Sequence, residues 1–194
     1  RWVREQGIPF LGICLGFQMA VIEFARNMAG LSEANSTEFV AHAAEGVISE
    51  LPDQKKIEGL GGTMRLGGQD VQLQAGSLAS SLYDGQTMVR ERFRHRYEVD
   101  PQFIPTLESA GLRFSGRHPD QPIMQVLELP ATIHPYFIAA QYHPELTSRP
   151  LDPQPMFMGL VAAAIQRSQP GLASGEIPAR WLACLAITVQ ANQL

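Results

Sequence analysis

Cysteine is scarce in this chain: Cys14 and Cys184 are the only two in 194 residues. Two cysteines so far apart make no disulfide framework, and the expected setting is a reducing cytoplasm. Long apolar runs are also missing. The longest late one, Trp181 to Val189, falls well short of the roughly 20 residues that a membrane-spanning helix needs. No basic segment leading into an apolar stretch marks a secretory leader. Charge of one sign is nowhere concentrated. The formal net charge is −4, which removes the electrostatic reason to expect nucleic acid or a membrane surface as partner. The length suits one domain with a sizeable core. The chain begins with Arg1 rather than Met, and "RWVREQGIP" reads as the end of a helix running into a turn. The expectation is a piece of a longer protein.

Ile8 to Cys14 is a nearly all-apolar run entered through Gly7 and Pro9, as in a strand buried on both faces. From Leu15 to Met28 the apolar residues recur at helical spacing, with Gly30 as the stop. Strand, tight glycine turn and helix open an α/β unit. Residues 31–68 are turn-rich, ending in "GLGGTMRLGG". That loop lacks the Lys-Ser/Thr of a phosphate-binding loop and reads as a turn or a partner-facing segment. "TMVRERFRHRYEV" alternates; if extended, it sets Arg90, Arg92, Arg94 and Arg96 on one face and Glu91, Phe93, His95 and Tyr97 on the other. The arginine row has no accompanying aromatic platform for RNA. Residues 101–110 suit a short helix closed by Gly111, "IMQVLEL" and "YFIAAQYH" suit strands, and 154–167 suits an amphipathic helix.

The junction Gly12-Ile13-Cys14-Leu15-Gly16 matches the nucleophile elbow, a strained strand-to-helix turn flanked by glycines that relieve crowding. A thiolate there would meet a helix N-terminus, and the next N–H, that of Leu15, would face a developing oxyanion. The pentapeptide by itself also fits a buried structural cysteine; the deciding feature is a matching base. Three His-Pro pairs compete. His118 sits in loop chemistry and reads as solvated, and His134 falls in a connection between two strands. His143 comes directly off an apolar strand, with Glu145 two residues on. In an extended segment these two side chains point the same way, so Glu145 can orient the imidazole that faces the thiol.

A G-x-C-x-G elbow followed more than a hundred residues later by His-Pro-Glu resembles the class I (triad) glutamine amidotransferases. "GICLGFQMAVIEFARN", "ANSTEF", "LGGTMRLG", "RHRYEV" and "QYHPE" narrow the resemblance to the glutaminase domain of the CTP synthase family, over about residues 1–168; residues 169–194 are a tail of unknown role. The resemblance implies an α/β fold, an open, mostly parallel sheet flanked by helices, incomplete at its N-terminus. It implies Cys14 as nucleophile, His143 as base, Glu145 as orienter and Leu15 as oxyanion donor. Gln18, Glu38 and Arg96 would line the L-glutamine pocket, where an ammonium wants an anion and a carboxylate wants a guanidinium. No metal or cofactor is implied for this chain. ATP and Mg²⁺ would belong to an N-terminal synthetase domain that aminates UTP, and the full-length enzyme would be a homo-oligomer. The family's second oxyanion donor lies on an upstream loop, so the isolated chain is expected to be weakly active or inactive. The competing readings are a non-catalytic interaction module and another triad hydrolase, such as a γ-glutamyl peptidase.

Overall fold

The apolar run at the start of the chain forms strand β1 (Phe10–Ile13), and the periodic segment after it forms helix α2 (Leu15–Asn27), in a computed structural model that describes residues 1–51 and 64–169. A short helix α1 (Trp2–Glu5) precedes them, and Gly7, with φ 59°, makes the turn between. Phe17, Val21, Phe24 and Ala25 of α2 are buried. Each large apolar side chain so placed contributes about 1.5–3 kcal/mol relative to exposure. That packing, rather than a cap, fixes the helix start, since the side chain of Cys14 makes no capping hydrogen bond.

The main sheet is completed by β4 (Arg65–Leu73), β5 (Met88–His95), β7 (Arg113–Arg117), β8 (Met124–Glu128) and β9 (Phe137–Ala140), in the order β1-β9-β8-β7-β4-β5. A smaller sheet runs β2 (Ala34–Ser36), β3 (Glu45–Ser49), β6 (Glu98–Val99). The sheets are mixed. β1 and β9 are parallel, as are β2 and β3, while the other pairings are antiparallel. Parallel pairing is thus a smaller share of the described strands than the sequence suggested. For β7–β8 and β8–β9 the reason is loop length: connections 118–123 and 129–136 are too short for the crossover that parallel neighbours require.

One face of the main sheet packs on α2, the small sheet and α4 (Ile104–Ser109), through Phe17, Val47, Leu107, Leu127, Phe137 and Ala139. The other packs on α3 (Leu78–Leu82) and α5 (Pro155–Ser168), through Leu82, Met156, Val126, Ile138 and Ala140. Successive β9 residues alternate between the two cores, which is why that strand is apolar throughout. No helix of the described residues is long and apolar enough to cross a membrane.

Candidate active site

Cys14 follows β1 directly and is the N-cap of α2, with φ 50° and ψ −101°. A non-glycine residue in that region costs about 1–3 kcal/mol, so burial of the α2 face outweighs it. Gly12 is needed for a steric reason: a Cβ there would lie 2.8 Å from both Ala139 Cβ and Gly16 O. Gly16 differs from the elbow reading, since a Cβ on it meets nothing within 4 Å. Only the glycine before the cysteine relieves crowding.

The thiol donates to Arg94 O at 3.8 Å and accepts from Gln141 Nε2 at 3.7 Å. Burial pushes the Cys14 thiol above its ordinary value, the Leu15 N–H and the Gln141 amide draw it down, and the Glu145 and Glu38 carboxylates push it up again. The helix N-terminus therefore does not leave a standing thiolate, and the thiol depends on a base to lose its proton.

β1 and β9 are in register, Ile13 beside Ala140, so the chain leaves both strands at the same level. Cys14 stands at the end of one and His143 just past the end of the other, the usual place for chemistry in such sheets. His143 Nδ1 lies 2.6 Å from Glu145 Oε1. An ionised carboxylate only accepts, so Nδ1 donates to it, and in a neutral imidazole Nε2 then carries the lone pair. Nε2 is buried and has no hydrogen-bond partner. The route to this geometry differs from the extended segment expected: Pro144–Leu146 form a single 3-10 turn, and the turn brings Glu145 back beneath the ring.

The far end of the sheet closes the site. β5 lies at the opposite edge from β1, yet Arg94 O meets the Cys14 thiol and Arg92 O accepts from the His143 N–H at 2.8 Å. The sheet is curled until its two ends meet at the elbow.

A cavity of about 420 Å³ opens here, lined by Cys14, Leu15, Gln18, Glu38 and Arg96 among others. The structure thus gathers the expected pocket residues around the cysteine. Glu38 follows β2 in a turn whose N–H bonds to Ser36 Oγ at 3.1 Å. Arg96 lies at a bend just past the end of β5, exposed, with no ion-pair partner among the described residues. Gln18 is buried, and its amide donates to Tyr97 O at 3.0 Å and Gln141 Oε1 at 3.2 Å. Its N–H groups are therefore spent on the protein. Met64 from the glycine-dense loop also lines the cavity; the rest of "LGGT", residues 60–63, lies outside the described residues, as does Cys184.

Gln141 is the residue that sequence reasoning missed. It joins Gln18 to the thiol, and its only sequence signal was proximity to His143. Of the two rejected histidines, His134 falls in the strand connection as expected, and His118 is less solvated than its loop setting suggested. His118 is a half-buried loop residue. His134 is buried in the β8–β9 connection, where Nε2 meets Val3 O at 3.2 Å and Nδ1 accepts from the Tyr136 N–H at 3.2 Å.

Residues 1–163 match the sequence profile of "Glutamine amidotransferase class-I", and the chain belongs to that family. Within the family its similarity runs to CTP synthases. It is 53% identical over 164 residues to the CTP synthase of Methanopyrus kandleri, across 84% of this chain and 30% of that one. It is 52% identical over 165 residues to that of Archaeoglobus fulgidus, across 85% and 30%. The chain thus spans about 30% of the length of these curated relatives. Among solved structures, the Trypanosoma brucei CTPS glutaminase domain with bound acivicin superposes with a TM-score of 0.77 at 35% identity, covering 84% of this chain and 62% of that one.

Proposed function

We propose that this chain is the glutamine-hydrolysing part of a CTP synthase. The observation that carries the reading is a strained cysteine just past the end of one strand and, just past the end of the parallel neighbour in register with it, a histidine whose Nδ1 is taken by Glu145 and whose Nε2 is left without a partner. In this reading Glu38 and Arg96 receive the ammonium and carboxylate of L-glutamine, which brings its side-chain carboxamide to Cys14. His143 Nε2 takes the thiol proton as Sγ attacks the carbonyl carbon, and the Leu15 N–H stabilises the oxyanion. The C–N bond breaks, the proton passes to the departing ammonia, and a γ-glutamyl thioester remains. Water, deprotonated by the same histidine, then releases glutamate and restores the thiol.

The ammonia would aminate UTP in a synthetase domain of the longer, homo-oligomeric protein, at the cost of ATP with Mg²⁺. Among the described residues no group of three or more His, Cys, Asp or Glu could hold a metal ion. The test uses the full-length parent protein. His143→Ala is expected to abolish glutamine-dependent CTP formation and to leave formation from added ammonia intact, because free ammonia bypasses the thioester. Loss of both activities overturns the assignment of His143 as the base.

A further inference from the structure

β5 carries a buried carboxylate for which the chemistry above has no use. Glu91 is 4% exposed and has no cationic partner among the described residues. A buried carboxylate has to be fully hydrogen-bonded, and its donors come from separate elements. Tyr83 OH donates to Oε1 at 2.8 Å, Gln154 Nε2 to the same oxygen at 3.1 Å, and Thr147 Oγ to Oε2 at 3.0 Å. Behind them, Tyr142 OH lies 3.0 Å from Tyr83 OH, and Gln154 Oε1 caps α5 by accepting from the Met156 N–H. A fold seeking stability alone gains as much from an apolar residue at such a place.

Thr147 is the informative partner. It ends the 3-10 turn that carries Glu145, and its hydroxyl also lies 3.1 Å from Pro144 O. At the other end of the same segment the His143 N–H is bonded to Arg92 O. Both ends of segment 143–147 are therefore fastened to consecutive residues of one strand. The Glu145 side chain between them is 48% exposed, and a polar pair that exposed contributes too little to hold itself in one geometry. We propose that Glu91, acting through Thr147, is a positioning residue that holds the His143–Glu145 pair in line with Cys14. This rests on the reading of His143 as the base.

The experiment follows alkylation of Cys14 by iodoacetamide in the 194-residue chain, read by mass spectrometry of the Cys14 peptide across a pH series, with thermal melting of each variant. His143→Ala is expected to slow alkylation near neutral pH by about 100-fold. The isosteric Thr147→Val and the charge-removing Glu91→Gln are expected to slow it by about 10-fold, while Thr147→Ser, which keeps the hydroxyl, stays within about twofold of wild type. The Thr147→Val deficit should shrink as pH rises and the thiol ionises without a base, which a purely structural loss would not do. Wild-type alkylation in Thr147→Val with slow alkylation in His143→Ala overturns the clamp alone. Wild-type alkylation in His143→Ala overturns the catalytic reading itself. If Thr147→Val and Glu91→Gln both lose the fold, the network holds the core rather than the histidine, and the proposal is wrong.

Discussion

His143 Nδ1 stands 2.6 Å from Glu145 Oε1 although the glutamate faces solvent. In the proposed mechanism its work is orientation. Glu145→Gln should lower the rate of glutamate release by about 10- to 100-fold, with less effect than His143→Ala, because an amide still accepts from Nδ1–H but no longer fixes the tautomer. Equal losses in the two variants would mean that the carboxylate does more than orient.

The two glycines of the elbow should respond in opposite ways. Gly12→Ala forces a Cβ against Ala139 and the Gly16 carbonyl, an overpacking that costs about 1–3 kcal/mol. Gly16→Ala meets open space, and alanine is the better helix former by about 1 kcal/mol. Urea unfolding checks both: Gly12→Ala is expected to lose stability and Gly16→Ala to keep or gain it. A destabilised Gly16→Ala would restore the symmetric crowding that the motif alone suggests.

Gln141→Leu removes the side-chain amide that draws the Cys14 thiol down, and leaves burial and the two carboxylates pushing it up. The pH profile of Cys14 alkylation should move to higher pH. A glutamine-mimicking electrophile should label Cys14 in preference to Cys184 and label it more slowly in Gln141→Leu. An unmoved pH profile would show that the amide does not act on the thiol.

His134 gives a prediction about stability. Burial is the main cause that holds its imidazole below the ordinary histidine value, against the bond to Val3 O, which raises it. The unfolded chain takes up a proton near pH 6.5 and the folded chain only at lower pH. The stabilisation is therefore full above that value and is lost as pH falls through the folded one. The urea midpoint should drop between about pH 7 and about pH 5.5, and drop less in His134→Gln. Equal slopes in the two proteins would assign the pH dependence to other groups.

The parts of the fold that read directly from sequence were those with a period or a long apolar run. The burial of β5 alternates residue by residue, and α2 and α5 lie where the helical spacing put them. β2, β3 and β6 are short strands, and nothing so brief carries a period. His143 and Glu145 were legible because their partnership is local. Gln141 was not, because its contact with Cys14 arises from the register of β1 against β9, a relation between residues far apart in the chain. Glu91 was legible only as a residue on the inward face, since its partners come from distant elements.

The curl that brings β5 to the elbow turns that strand into a ruler. Arg94 O meets the Cys14 thiol and Arg92 O accepts from the His143 N–H, and two residues along a pleated strand span about 6.8 Å. The interval between the two anchor points is thus a property of extended backbone, which side-chain substitution in the pocket cannot stretch. A slip of one residue in β5 would exchange its faces, turning Glu91 outward and the arginines into the core. The measuring edge and the buried carboxylate would then fail together.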